Sequence, residues 1–178
     1  SDQVLAILDN IKSQENKGFQ YEGAEASFEL MVRRSLHGYR PHFELVDFMS
    51  LVENRRRSPI DGDQEDMLSE AVIKVRVDSD VVHTAAEGNG PVNALDNALR
   101  KALLDSYPSL SAVKLLDYKV RVVDQGQATK AVVRVLMEST DGKSDWRTVG
   151  CSSNVIEASW MALADSLEYF LIHQAAEE

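Results

Sequence analysis

Only one cysteine, Cys151, occurs in the 178 residues, so no internal disulfide can form and a reducing compartment suits the chain. Positive charge is scarce as well: 19 Lys and Arg stand against 29 Asp and Glu, a net charge of −10. Nucleic-acid binding needs clustered cations to displace counterions, and that class is excluded. The single basic run, Arg55-Arg56-Arg57, lies between Glu53 and Asp61 and reads as a solvated strand end rather than a phosphate site. No apolar run approaches the ~20 residues that span a bilayer, and no signal-peptide pattern opens the chain. A cytoplasmic protein without membrane contact is expected. The four histidines (His37, His42, His83, His173) are scattered, and no pair has metal-ligand spacing. His83 beside Thr84 reads as a structural hydrogen-bonder. Ser, Cys and His form no nucleophile signature. No catalytic residue and no metal ligand is therefore assigned, and Cys151 reads as a small buried residue. The start at Ser1 rather than Met suggests a piece of a longer protein.

What is present is ordinary core material, 44% hydrophobic residues with 27% charged, arranged with a conspicuous repeat. Phe43-Glu44-Leu45-Val46-Asp47-Phe48 returns as Val113-Lys114-Leu115-Leu116-Asp117-Tyr118, 70 positions on. Ala71-Val72-Ile73-Lys74-Val75 matches Ala131-Val132-Val133-Arg134-Val135 at a spacing of 60. Val92-Asn93-Ala94 and Ala98-Leu99 match Ile156-Glu157-Ala158 and Ala162-Leu163 at 64. Drift confined to loops is what a duplicated unit with free turns should show. Residues 1–41 then form a helical linker subdomain, 42–109 a first repeat and 110–178 a second.

In the arm, Val4, Leu5, Leu8 and Ile11 recur at helical spacing over 2–16, and Lys17-Gly18 ends that helix. A second helix is expected from about Glu22 to Leu36, with Ala24, Phe28 and Met31 on one stripe. Leu36-His37-Gly38-Tyr39-Arg40-Pro41 is the best linker. From Phe43 the period changes to two. Ala71, Ile73, Val75 and Val77 face one way, with Val72, Lys74 and Arg76 opposite; Leu116, Tyr118, Val120 and Val122 oppose Asp117, Lys119 and Arg121. Asp78-Ser79-Asp80 and Thr140-Asp141-Gly142-Lys143-Ser144 are turns by composition, and 54–69 read as a long polar hairpin loop. Each repeat ends in a helix. Pro91 sits at the first position of one, striped by Val92, Leu95, Leu99 and Leu103. Asn154 and Glu157 make a capping-box-like start for the other, striped by Ile156, Trp160, Leu163, Leu167 and Leu171. Each repeat is strand–strand–strand–helix, and two three-stranded antiparallel sheets with their helices make an α+β fold.

One turn stands out for binding. Gly88-Asn89-Gly90-Pro91 closes a strand and opens a helix, whose unpaired N–H groups and positive dipole end favour an anion. Neither a dinucleotide motif nor a P-loop fits, because Asn93 stands where a third glycine would and no Lys-Ser or Lys-Thr follows. A carboxylate from a small molecule fits better than a pyrophosphate; a plain strand-to-helix turn is the alternative. The second repeat's equivalent is taken as Gly150-Cys151-Ser152-Ser153-Asn154, with the second glycine and the proline lost.

With the duplication and this turn in view, His83-Thr84-Ala85-Ala86-Glu87-Gly88-Asn89-Gly90-Pro91-Val92-Asn93-Ala94 resembles the signature of the C-terminal regulatory domain of the 2-isopropylmalate and citramalate synthases. Leu116-Asp117-Tyr118 matches the second-repeat strand of that domain. The arm Gly18-Phe19-Gln20-Tyr21-Glu22-Gly23-Ala24-Glu25-Ala26-Ser27-Phe28-Glu29-Leu30 is similar to the linker subdomain of the citramalate branch. The resemblance implies a non-catalytic fragment whose parent carries a (β/α)₈ barrel, with acetyl-CoA as substrate and a divalent metal there. It also implies a homodimer that binds an end-product branched-chain amino acid, isoleucine or leucine. Carried across by motif, Gly88, Asn89 and Gly90 would meet the effector's polar end, and Pro91 belongs to the same effector site. Val92, Leu115, Tyr118, Val122 and Ala128 would line its side-chain pocket. Tyr118 and Val122 are an even number apart and share a strand face, whereas Leu115 is odd and needs a bulge to join them.

Overall fold

Among the described residues, α-helices and strands follow one another as α1 (Asp2–Asn16), α2 (Glu25–Arg34), β1 (Glu44–Glu53), β2 (Leu68–Val77), β3 (Asp80–Gly88), α3 (Pro91–Leu103), β4 (Lys114–Val122), β5 (Val133–Thr140), β6 (Asp145–Ser152) and α4 (Val155–Glu177), with a short 3-10 turn at Pro108–Ala112 before β4. The computed structural model describes residues 2–53, 68–123 and 131–177. The basic run Arg55–Arg57 and most of the expected loop of residues 54–69 lie outside the described residues, as does Ala128. Two antiparallel sheets have the orders β1-β2-β3 and β4-β5-β6, each followed by its helix. The α+β architecture of duplicated βββα units is therefore the one expected. The chain divides into two units, His42–Ser111 and a second formed by residues 1–41 with 112–178. The arm thus belongs with the second repeat.

Alternation in the sequence places one face of each sheet under its helix. Ala71, Ile73, Val75 and Val77 are buried on β2, and Ala94, Leu95, Ala98, Leu99, Ala102 and Leu103 form the buried stripe of α3. Val135, Met137, Trp146 and Val149 with Leu163, Leu167 and Leu171 form the corresponding core of the second unit. In both, a strand threonine fastens the helix. Thr84 Oγ1 donates to the Ala98 carbonyl at 2.8 Å, and Thr148 Oγ1 to the Ala162 carbonyl at 2.7 Å.

Strand pairing corrects the alignment of the repeats. A bulge interrupts β1 between Leu45 and Asp47, opposite Val75 and Lys74; the matching bulge in β4 lies between Leu115 and Asp117, opposite Ser139 and Glu138. Ile73 faces Thr84 across one sheet as Met137 faces Thr148 across the other. The second strand is thus displaced by 64 positions rather than 60. A slip of four keeps every side chain on its face, so alternation alone could not detect it.

The arm docks on the edge of the second sheet. Ser27 Oγ accepts from the Val149 N–H on edge strand β6 (2.9 Å) and donates to Asp165 Oδ2 on α4 (2.7 Å). Arg34 Nη2 donates to Asp165 Oδ1 at 2.7 Å, and Tyr39 donates to Glu168 Oε1 at 2.6 Å. Arg134 on β5 grips the Gly18 carbonyl through Nε (2.9 Å) and Nη2 (2.6 Å). Gly18 has φ +99°, and a Cβ there would come within 2.9 Å of the Cys151 sulfur. Glycine is required on both counts. Cys151 is buried as expected, and burial pushes its thiol pKa up. Two expectations for the arm differ. Helix α2 is shorter than anticipated, and Phe28 is exposed, edge-on to Tyr21 at 5.7 Å, because Ala26, Ser27, Leu30 and Met31 take the buried face. Val4, Leu5 and Leu8 on α1 are exposed too.

Burial raises the Asp165 carboxyl above the usual carboxylate range, and the Arg34 and Ser27 contacts offset this only in part. A carboxyl raised on folding stabilises most below its unfolded pKa of about 3.9, and the contribution is lost as pH rises through the folded value. Urea midpoints of the wild type and Asp165→Asn, compared pH by pH, should show the wild type's relative stability falling from about pH 4 upward. A difference that grows with pH would contradict this assignment.

Candidate functional site

The turn that opens α3 is built from three residues with different jobs. Gly88 ends β3 directly beneath the helix: a Cβ there would lie 2.4 Å from the Ala94 nitrogen. Its missing side chain is used by strand–helix packing. Asn89 is exposed, and its N–H donates to Asn93 Oδ1 at 3.1 Å, while Asn97 Nδ2 donates to the Glu87 carbonyl at 2.9 Å. Gly90 is the N-cap, extended at φ −170°, with no atom within 4 Å of where a Cβ would stand. No side chain caps this helix, and Pro91 fills the first turn as anticipated. The N–H groups of Val92 and Asn93 are therefore the orphan donors of an uncapped start, beside an open position at Gly90.

The second repeat shows the same end of the scaffold closed. Strand register and helix starts set Gly88, Asn89 and Gly90 equivalent to Ser152, Ser153 and Asn154, each 64 positions on. This corrects the sequence alignment, which matched Gly88 with Gly150; Gly150 instead corresponds to Ala86 and serves packing, because a Cβ would meet the Ala158 carbonyl oxygen at 1.9 Å. Both glycines of the turn are thus replaced. Asn154 Oδ1 accepts from the Ile156 N–H at 2.9 Å and the Glu157 N–H at 3.4 Å. The reciprocal half of the capping box is relayed: Ser152 Oγ bonds Glu157 Oε2 and accepts from the Asn154 N–H. An acceptor oxygen therefore already sits where the first repeat leaves its donors uncovered.

The apolar candidates fall on β4. The bulge after Leu115 restores parity, since Leu115, Tyr118 and Val122 pair with Ser139, Met137 and Val133 and so share the face turned to α4. Tyr118 Oη and Ser159 Oγ on α4 lie 2.9 Å apart, which fixes the ring. Leu115 and Val122 remain 41% and 52% exposed, so this strand offers an uncovered apolar surface. The counterparts of Tyr118, Val120 and Val122 on β1 are Phe48, Ser50 and Val52, paired with Ile73, Ala71 and Ser69. Ala71 and Ser69 pair in turn with Ala86 and Gly88, so Ser50 and Val52 stand level with the turn in its own unit. The Ser50 hydroxyl is buried without a hydrogen-bond partner among the described residues. The sequence reading missed Ser50, although the spacing of 70 from Val120 pointed to it. His83 is exposed; its neighbour Thr84 makes the structural bond instead. Among the described residues no cluster of His, Cys, Asp or Glu could hold a metal ion, and no helix is long and apolar enough to cross a membrane.

Comparison with known proteins finds relatives of this chain. Residues 22–171 match the model of the LeuA allosteric (dimerisation) domain. An (R)-citramalate synthase of Geobacter sulfurreducens is 54% identical over 174 residues, covering 98% of this chain and 32% of that protein. The (R)-citramalate synthase of Aquifex aeolicus is 45% identical over 177 residues, 99% of this chain and 32% of its own length. A 2-isopropylmalate synthase of Shewanella woodyi is 34% identical over 93 residues, 52% of this chain and 16% of that protein. The chain spans about a third of the length of the citramalate synthases it matches.

The two glycines of the turn should separate in a stability measurement. Gly88→Ala forces a Cβ against helix backbone and should lower unfolding stability by about 1–3 kcal/mol or more. Gly90→Ala, in open space at an extended φ, should change it by less than about 1 kcal/mol. Chemical denaturation of both variants checks the contrast, and equal losses would refute the division of roles.

Proposed function

The chain belongs to the LeuA allosteric (dimerisation) domain family, and from that premise we propose that it is the feedback-sensing and pairing portion of a citramalate-type synthase. The parent would condense acetyl-CoA with a 2-oxo acid on a barrel that holds a divalent metal, in the cytoplasm. This portion would contribute no catalytic group. Its effector would be an end-product branched-chain amino acid, isoleucine or leucine.

The observation that carries the sensing role is the difference between two equivalent helix starts. One is closed by its own Asn154 amide; the other ends at Gly90 with donors uncovered. A free carboxylate would take the place that Asn154 Oδ1 takes in the second repeat, and the Asn89 amide oxygen could receive the ammonium. The apolar side chain would need an apolar wall, to which Val92 would contribute beside the turn. Coupling of roughly 1–3 kcal/mol between effector and active site would be typical of such regulation. A second reading, a pairing module without ligand, draws on the packing role of Gly88, which explains that glycine without any effector.

Pairing is supported by the exposed apolar side chains on two edge strands. Met49 and Leu51 on β1 and Leu116 and Val120 on β4 are all between 43% and 60% exposed. Such rows favour burial against a second copy.

Isoleucine or leucine at 100 times its dissociation constant should stabilise the chain by ~2.7 kcal/mol in a thermal-shift panel. Gly90→Asp and Gly90→Asn should fold normally and lose that response, Asn by supplying its own cap and Asp by adding a competing carboxylate. Unchanged calorimetric affinity in either would overturn the site, and silence of the wild type toward every amino acid would favour the second reading. Separately, Met49→Lys combined with Leu116→Lys should weaken self-association about tenfold or more by light scattering, with the circular dichroism spectrum retained.

A further inference from the structure

A cavity lies within the unit formed by the arm and the second repeat. It measures about 370 Å³, is partly open to solvent, and is bordered by α1, the segment joining it to α2, α2 itself, β6 and α4. Pockets that hold small molecules begin at about this size. Phe19, Met31, Trp160 and Met161 supply apolar walls, and Asn10, Gln14, Tyr21, Ser27, Arg34 and Asp165 the polar groups.

The polar groups are unevenly matched. Both oxygens of Asp165 at the cavity's base are already engaged, one by Ser27 and one by Arg34. Arg34 lines the cavity, commits a single nitrogen to that pair and remains 46% exposed, so its guanidinium has N–H donors to spare. Burial and the nearby Asp165 charge push the Tyr21 phenol up to about 12, so it stays a protonated donor at neutral pH. With Asp165 held by Ser27 and Arg34, the charged donor that lines the cavity is Arg34, and the apolar walls suit a short hydrocarbon.

We propose that this cavity is a second binding site, independent of the helix-start site, for a small monocarboxylate with an apolar tail. The carboxylate would accept from Arg34 and Tyr21, and the tail would lie between Trp160, Met161 and Phe19. The guanidinium fork suits a planar carboxylate better than a neutral amide does. Anchoring on residues of both arm and α4, such a ligand would tighten the arm on the second repeat.

The test uses the two tryptophans of the chain as internal reporters. Trp160 lines the cavity, whereas the Trp146 indole N–H is buried on Ser166. The ¹⁵N-labelled chain is titrated with butanoate and hexanoate, and with their primary amides, while both indole signals are followed. Hexanoate should move the Trp160 signal alone and bind more tightly than butanoate, with hexanamide about tenfold weaker or worse. Ala164→Leu, which fills the cavity, should abolish the response. Tyr21→Phe should weaken it severalfold, and Gly90→Asp should leave it intact. No movement of Trp160 at tens of millimolar hexanoate, or equal binding of acid and amide, would overturn the proposal. So would a response that survives Ala164→Leu, or one lost in Gly90→Asp, which would move the ligand to the helix start. If Ala164→Leu does not keep the wild-type spectrum, Tyr21→Phe decides, and unchanged affinity there refutes the site.

Discussion

A threonine hydroxyl on a strand, donating to a carbonyl in the middle of a helix, fixes each repeat. Thr84 to Ala98 and Thr148 to Ala162 are the same bond made twice. So short a link requires strand and helix backbones to approach closely, which only small side chains permit. Ala94, Ala98, Ala158 and Ala162 are fully buried at that contact, and Gly88 and Gly150 have no room for a Cβ. Once the helix is set at this distance, its first turn must lie at the end of the sheet. The chemistry of that turn is then decided by one or two residues.

The sequence made some of this legible and hid the rest for identifiable reasons. Burial of Ala71, Ile73, Val75 and Val77 and the stripe of α3 followed directly from period and spacing, because each uses a local repeat. The odd position of Leu115 even announced the bulge that β4 contains. The match of Gly88 with Gly150 failed because alternating apolar runs resemble themselves at every even shift. Only features without that periodicity, the bulge and the threonine bond, break the tie. The joint of Ser27, Asp165 and Arg34 left no sequence signal, since partners 131 and 138 positions apart obey no local rule. The exposure of Phe28 was equally hidden: Ala26 and Ser27 could be seen as small, but not as the residues that let α2 lie against β6.

Duplication followed by divergence explains why one unit leaves its helix start open while the other caps it. The second repeat carries its own acceptor at the helix start and donates its far edge to the arm. The first retains glycine at the corresponding N-cap, where the donors of α3 face no side chain. Physical asymmetry between halves of common design is a more telling sign than either turn in isolation. It distinguishes a glycine kept for packing, as at Gly88, from one whose surroundings are open, as at Gly90.

Ser27 has one further effect through its hold on the Val149 N–H of β6. A sheet grows by hydrogen bonding along its borders, and α2 lies against one border of β4-β5-β6. Growth of that sheet is thereby hindered at the β6 border, which leaves β4 as its open edge. The arm thus acts as an edge guard, keeping foreign strands off β6.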